Sequence, residues 1–581
     1  MLTFGAVQLT LVASVAFGPL LHRLPFVLLL SAMSLRSTCV SRLKTAVFDT
    51  LVVGGGINGA VTAAALAERG ARVGLIDARD FAGVASQQSS NLVWGGIKYM
   101  ESFEFALVNK LCASRNHLMR SYPSSVREMR FFTVHETGFR HSLAKLYAGT
   151  WLYWLMGRGQ TRIPRWMSTA TIRAEEPVIN LDGCDGGFEY SDAYLIDNDA
   201  RFVFQFIRAA LDAGAAAANY VESQSAVRGS DGLWQVQAVD RISGERFKIL
   251  ARTLVNACGA FVDQHNIRSR QTTQHAHVYS KGIHLIVDRI TDSRRILTFF
   301  ADDGRLFFAI PMGDKTCIGT TDTRVDDPLP QVTEADRRFV LDNINKRLKL
   351  ARPLQTSDII AERCGVRPLV VKQGGGGTPD WLQMSRKHVV ESNRERRHVS
   401  IFGGKLTDCL NVGEELCEEI VKMGVPLPHP RRRWYGEGRP EQRELLLRQC
   451  AELALPTPSA AAGEEGSGER LWRLYGEAAF ELLETLRADP SAAEIVIEGT
   501  DYMRCELALC ARREMVTTLE DFLRRRTKIE LTLGRARLQA SKGLPEACRL
   551  LFGQDAQRQL DAYFASGAAP VRTEQRAAAL A

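Results

Sequence analysis

From Phe48 the chain reads FDTLVVGGGINGAVTAAALAERGARVGLIDARD. A short β-rich run, Phe48 to Val53, enters Gly54-Gly55-Gly56-Ile57-Asn58-Gly59; an Ala-rich helix follows to Gly70, and a second apolar strand ends at Asp77. This is a βαβ unit carrying the spacing G-x-G-x-x-G. Gly54 makes the tight turn, Gly56 lets backbone approach a pyrophosphate, and Gly59 lets helix and strand pack closely. The helix N-terminus, where Asn58 sits, offers free N–H groups to phosphate. Asp77, 18 residues beyond Gly59, stands where an acid accepts a ribose hydroxyl. Glycine-rich αβ turns also arise for packing alone, but strand, helix and acid together select dinucleotide binding.

The rest of the chain sets bounds. At 581 residues, 45% hydrophobic and 24% charged, it has room for two or three folded domains. A net charge of +8 suits anionic partners without choosing among them. Twelve cysteines contain no C-x-x-C pair and read as reduced thiols. There is no H-E-x-x-H, and His275 and His277, two apart on one strand face, read as surface chemistry, not a metal site. The first 48 residues lack Asp and Glu. Three readings fit their apolar opening: a membrane anchor, a targeting sequence, or a true start at Met33 that leaves a short basic arm. If the stretch spans a bilayer, the basic residues after it put the main body on the cytoplasmic side.

Leu254-Val255-Asn256-Ala257-Cys258-Gly259-Ala260 is a further strand running into a small-residue turn, a second place where backbone can meet a cofactor. RRILTFFADDGRLFFAIPMGDKTCIGTTD reads as antiparallel sheet, with Asp303-Gly304 as its hairpin turn. Gly374 to Gly377 reads as a surface insertion, and Val425 to Trp434 as a linker. In LCARREMVTTLEDFLRRRTKIEL, Met515, Leu519, Phe522 and Leu523 share a helix face, and Arg524 to Arg526 read as a solvated basic helix end. The stripe Tyr147, Trp151, Trp154 and Leu155 fits either an interfacial membrane helix or a buried one. The segment SSNLVWGGIKYMES, Ser89 to Ser102, follows neither a helix nor a strand period.

Read together, VVGGGINGA, SSNLVWGGIKYMESFEFALV, GFEYSDA, SKGIHLIV, IGTTDT, CGVRPL, FGGKLTD and EMVTTLEDFLRRRT resemble, in order, the FAD-dependent glycerol-3-phosphate dehydrogenases, members of the wider D-amino-acid-oxidase-like flavoproteins. The pieces span about Phe48 to Phe564. The resemblance implies an α/β fold: an N-terminal extension (1–44), a doubly wound FAD-binding domain interleaved with an antiparallel-sheet substrate domain (45–425, sheet mainly 275–395), a linker (426–440) and a helical C-terminal domain (441–575). It implies hydride transfer from C2 of glycerol 3-phosphate to FAD, with electrons passed to a quinone at the cytoplasmic face of a bacterial inner or a mitochondrial inner membrane. No nucleic acid partner is implied, and a homodimer is compatible.

Such chemistry must hold a phosphate dianion, orient C2–H and remove the hydroxyl proton. The resemblance assigns Arg367 to phosphate or ketone oxygen, His284 to the proton, with an imidazole pKa near operating pH, and Lys405 to a place near substrate and flavin. Thr320, Thr321, Lys98 and Tyr99 are expected to contact substrate. Ser89, Ser90, Asn91, Gly259, Gly404, Leu406 and Thr407, with Gly54, Gly56, Asn58, Gly59 and Asp77, are expected along the cofactor. Each has a plainer alternative: a strand-end arginine, a structural histidine, a β pair of threonines. Two departures stand out, Trp94 where the family usually has His and Lys98 where it has Arg; Lys keeps the charge and loses the two-pronged geometry. Cys258 and Ala260 replace the usual Thr and Pro, which bears on local FAD packing. An oxygen-using oxidase shares these motifs. A flavin-binding subunit without turnover does not explain Arg367, His284 and Lys405 together, and a NAD-binding module predicts no yellow chromophore on purification.

Overall fold

A computed structural model of the protein describes residues 34–373, 387–453, 455 and 465–565. The apolar stretch before Met33, Gly374 to Gly377 and most of the loop near Ser459 lie outside them.

The first sheet has a parallel core in the order His398–Phe402, Arg246–Asn256, Val47–Val53, Val73–Ile76, Ala216–Ala218. Antiparallel strands flank it: Val389–Asn393 pairs at one edge, and the hairpin Val221–Arg228 with Trp234–Asp240 joins Arg246–Asn256. The helices Ile57–Glu68, Asp199–Asp212 and Cys409–Lys422 pack together with this sheet. The strands Val73–Ile76, Ala216–Ala218 and His398–Phe402 are buried on both faces, while the flanking Val221–Arg228 and Trp234–Asp240 alternate between buried and exposed positions.

The second sheet has ten strands, and His275–Asp288 is its long spine, pairing antiparallel with Ala361–Lys372, Lys315–Gly319 and Thr323–Val325. The hairpin at Asp303-Gly304 forms, with Gly304 at φ +77° between Ile296–Phe300 and Leu306–Met312. The sheet is wider than expected: Val126–Glu136, Arg165–Met167, Cys184–Leu195 and Leu92–Val93 all join it, while Val389–Asn393 belongs to the nucleotide sheet. These earlier strands come in through long crossovers, which no local pattern announces.

Three other expectations change. The basic arm after Met33 is a helix, Leu35–Thr45, capped by the Ser34 hydroxyl; it buries Cys39, Val40 and Leu43 against the first sheet, and Arg36 bonds Asp240 at 2.7 Å. Residues 34–44 therefore belong to the cofactor domain rather than to an extension. On the helix Leu143–Met156 the buried residues are Leu143, Thr150 and Tyr153, so the aromatic stripe is not its core face; Leu152 and Leu155 are 43% and 62% exposed.

The C-terminal run is not one helix. Arg504–Arg513 ends before Met515, which sits at φ +46°, and Asp521–Arg526 is a π-helical turn. Arg524, Arg525 and Arg526, expected to be solvated, are buried. Asp80, one turn beyond the nucleotide-binding strand, accepts bonds from Arg525 Nε (2.7 Å) and both Arg526 terminal nitrogens (2.7 and 2.9 Å), while Asp521 pairs with Arg525 at 2.6 Å. These charge-assisted bonds fasten the helical domain to the cofactor domain.

Candidate active site

At the C-terminal end of the first parallel strand, geometry leaves little choice of residue. Gly54 has φ +104°, and a Cβ there would lie 2.4 Å from the Ala257 carbonyl. At Gly59 a Cβ would lie 1.8 Å from the Gly54 carbonyl, so helix and strand meet only because it is glycine. Near Gly56 the Ser86 hydroxyl accepts the Ile57 N–H at 3.1 Å. Asp77 accepts N–H bonds from Gly55 (2.6 Å) and Arg79 (2.8 Å), and burial pushes its carboxyl up to about 6. Gly259, at φ +57°, follows a turn anchored to the same strand end, since the Ala257 N–H bonds the Val53 carbonyl.

Asn58 joins this cradle to the segment FGGKLTD. Its Nδ2 donates to the Gly403 carbonyl at 2.9 Å, and a Cβ on Gly404 would come within 3.0 Å of its Oδ1. The imidazole of His277, read from the sequence as surface chemistry, is fully buried here. Its Nδ1 faces the Asp263 carboxylate at 3.1 Å and its Nε2 accepts the Gly403 N–H at 3.0 Å, so it fixes the backbone that leads to Lys405.

SSNLVWGGIKYMES meets that loop from the other side. Thr407 Oγ1 donates to the Trp94 carbonyl at 3.4 Å, and Lys405 Nζ stands 3.9 Å from the centre of the Tyr99 ring. Gly96 is left-handed at φ +81°, and a Cβ there would strike Tyr99 at 2.7 Å. Lys98 and Tyr99 lie half-buried on the turn Ile97–Met100, and Leu406 on the turn Leu406–Asp408. At the start of the segment the Ser89 N–H bonds Asp199 at 2.7 Å, the Ser89 hydroxyl takes the Asn91 N–H at 3.1 Å, and Ser90 is half-buried beside them.

The sheet supplies the third side. His284 and Arg363 are register partners, and both are buried. Arg363 was not singled out in the sequence, although residues 363 and 365 share one strand face with Arg367, and that alternation was the available signal. Its Nη1 donates to the Ser89 carbonyl and, at 2.8 Å, to Asn91 Oδ1. The Asn91 amide in turn donates to the Asp197 carbonyl at 2.5 Å, so this side chain holds Arg363 more than it faces a ligand. Arg367 lies across Gly282: a Cβ there would be 2.3 Å from Nη2 and 2.6 Å from Cζ. Its guanidinium donates to Thr320 Oγ1 (3.0 Å), the Thr321 carbonyl (3.2 Å) and Asp322 (3.3 Å), and Thr321 Oγ1 accepts the Ile283 N–H at 3.1 Å.

Electrostatics correct one expectation. Burial, then the charges of Arg363 and Arg367, pulls His284 down to about 3, well away from operating pH. The imidazole is neutral in the resting protein, and a phosphate dianion beside Arg367 would offset part of the cationic field that keeps it so.

Several buried polar atoms have no partner among the described residues: Asn58 Oδ1, both His284 ring nitrogens, and Nε and Nη2 of Arg363. An orphaned buried polar group costs roughly 1–3 kcal/mol. Asn58 belongs to the nucleotide cradle and His284 and Arg363 to the second sheet, so each of these two parts keeps polar atoms for a ligand, while further orphaned atoms such as Arg69 Nε and Arg470 Nε lie outside both.

Residues 49–393 match the family model described as FAD dependent oxidoreductase, and residues 440–559 match the C-terminal domain of alpha-glycerophosphate oxidase. A glycerol-3-phosphate dehydrogenase of Pseudomonas tolaasii is 30% identical over 84% of this chain and 92% of its own. One from Mycobacterium tuberculosis is 27% identical over 93% and 91%. A Bacillus halodurans glycerol-3-phosphate dehydrogenase complexed with FAD shares the fold, with a TM-score of 0.70 at 24% identity over 92% of this chain and 97% of that one. The chain belongs to the FAD-dependent glycerol-3-phosphate dehydrogenase family, and its cofactor is FAD.

Proposed function

We propose that this protein oxidises sn-glycerol 3-phosphate to dihydroxyacetone phosphate and passes the electrons to a membrane quinone. The observation that carries the reading is the meeting of a neutral, buried His284 with Arg363 and Arg367 on the adjoining strand. When bound, FAD supplies the hydride acceptor; Gly56 leaves room for it, while Gly54, Gly59 and Gly404 let the strands, helix and loop around it pack closely. Arg367, braced by Thr320 and Asp322, binds the phosphate or the developing ketone oxygen through a fork that stays protonated. His284 takes the hydroxyl proton at a ring nitrogen. Lys405, over the Tyr99 ring, and Lys98, on the turn Ile97–Met100, add positive charge from the loop segments.

Membrane association fits an exposed apolar face. Leu155, Ile163 and Trp166 are 62%, 58% and 46% exposed, and the exposed Arg158 lies among them in the sequence. Such a face suits the boundary of an anionic bilayer on its cytoplasmic side. No helix among the described residues is long and apolar enough to cross a membrane. An oxygen-using oxidase is the second reading, favoured by the C-terminal match to alpha-glycerophosphate oxidase. The test is anaerobic addition of glycerol 3-phosphate to the purified yellow protein. Bleaching of the flavin band is expected, and a persistent oxidised spectrum overturns the assigned substrate. Fast reoxidation by air with peroxide formed, in place of reoxidation by a quinone analogue, overturns the quinone reading.

A further inference from the structure

Between the second sheet and the C-terminal helices lies a cavity of about 970 Å³, distinct from the residues gathered around His284. Among the described residues its walls carry ten Arg or Lys side chains against five Glu. One wall comes from the sheet and its loops, including Arg127 and Arg289; the other comes from the helical domain, including Arg443 and Lys528.

All five glutamates are already in salt bridges. Glu465 pairs with Arg127 at 2.8 Å and also with Arg473, Glu469 pairs with Arg443 at 2.6 Å, and Glu128, Glu175 and Glu189 are engaged in the same way. Two further carboxylates stand behind the wall, Asp197 against Arg473 and Glu176 against Arg295. These seven carboxylates pair with seven of the ten cations. Arg289 and Lys528 are not among those seven. Arg289 donates to the carbonyls of Thr291 and Asp292, and Lys528 to that of Ile196 at 3.3 Å; neither has a carboxylate partner among the described residues. Burial lowers the pKa of Lys528, with Asp197 opposing and Arg473 adding to the shift. An incoming anion gains most beside such a half-desolvated ammonium.

The floor is not uniformly polar. Met129, Ile196, Pro311 and Met312 line it with Tyr194, so the cavity offers contact to an apolar or aromatic body as well as to charge. Its volume lies in the range that encloses nucleotide-sized ligands, and it sits at a domain boundary, where such sites concentrate. We propose that this cavity binds a multiply charged, phosphorylated metabolite of nucleotide size, and that its occupant clamps the helical domain onto the sheet. Because the strand that carries Tyr194 pairs with Leu92, the occupant's charge acts one strand away from the segment that leads to Lys98 and Tyr99.

The experiment is titration calorimetry on the full FAD-loaded chain with ATP as probe, without metal and without glycerol 3-phosphate, and with adenosine as the neutral control. ATP is expected to bind, adenosine to give no heat, and rising salt to weaken the affinity. The double variant Arg289→Gln/Lys528→Gln should weaken ATP at least tenfold while keeping its flavin spectrum. A second variant, Arg289→Gln/Arg443→Gln, reads the same effect if the first loses flavin. Absence of ATP binding, equal affinity in the variants, or displacement of ATP by glycerol 3-phosphate overturns the proposal. Flavin bleaching is read separately, so failure here leaves the assigned reaction standing and the converse also holds.

Discussion

Gly282→Ala is the most economical test of how Arg367 is placed. A methyl at this position would sit 2.3 Å from Arg367 Nη2 and 2.6 Å from Cζ. The clash is with the far end of a flexible side chain, and Gly282 is not in the left-handed region, so the strand tolerates alanine and the guanidinium moves instead. Moving it breaks the bonds to Thr320 Oγ1, the Thr321 carbonyl and Asp322, which together aim the fork. A hydrogen bond to a charged group is worth about 1.5–3 kcal/mol, so kcat/KM for glycerol 3-phosphate should fall about 10- to 150-fold. FAD content and the denaturation midpoint should stay near those of the parent. Steady-state kinetics on Gly282→Ala, Arg367→Ala and the double variant complete the cycle. Once Arg367 is gone, the added methyl has nothing to displace and should cost almost nothing further. Unchanged kinetics in Gly282→Ala, or full additivity in the double variant, would refute the placement.

Four further outcomes follow from the same geometry. Asp80→Asn leaves Arg525 and Arg526 without their shared carboxylate, and urea unfolding should show a loss of about 3–5 kcal/mol. His277→Leu strips the Gly403 N–H of its acceptor, so FAD retention on dilution should weaken about 5- to 150-fold, the equivalent of about 1–3 kcal/mol. Burial, with neighbouring cationic groups, lowers His284 and His398 to about 3 and His265 to about 4. Because their folded pKa values lie below the unfolded imidazole value of about 6.5, the unfolded chain binds more protons between the two. Stability is therefore complete above about pH 6.5 and declines as pH falls toward 4, by up to about 1.4 kcal/mol per unit per histidine; His284→Gln should flatten the denaturant-midpoint profile. Lys98→Arg should tighten glycerol 3-phosphate if Lys98 reads the phosphate, and an unchanged KM would remove it from that role.

The nucleotide half of the site was legible because sterics dictate its letters: no side chain fits at Gly59, 1.8 Å from the Gly54 carbonyl, and glycine at that spacing has few other uses. Arg367, His284 and Lys405 were legible only through family motifs; His284 and Arg367 lie on paired strands of the second sheet, and Lys405 faces the Tyr99 ring. What escaped depends on partners far along the chain. His277 looked like a surface histidine because Asp263 and Gly403, which define it, are 14 and 126 residues away. Arg526 looked solvated because Asp80 lies 446 residues away, and a run of three arginines gives no local hint of a buried carboxylate. The pKa of His284 escaped for the same reason, since the depth of a strand and the nearness of Arg363 are tertiary facts.

The two departures in SSNLVWGGIKYMES can be weighed against this frame. Trp94 offers its carbonyl to Thr407, and its ring centre lies 6.4 Å from that of Tyr99. Tyr99 in turn presents its face to Lys405 at 3.9 Å, a cation–π contact worth about 0.5–2 kcal/mol as the site is desolvated. The tryptophan thus backs the aromatic wall that steadies Lys405, where a histidine would add a titrating group. Lys98 contributes a compact charge without a fork. On the proposed function, directional recognition falls on Arg367, whose bearing is fixed by Gly282, Thr320 and Asp322. Orientation from the sheet and charge from the loop are separable, which is why replacing arginine by lysine at position 98 is compatible with a phosphorylated substrate.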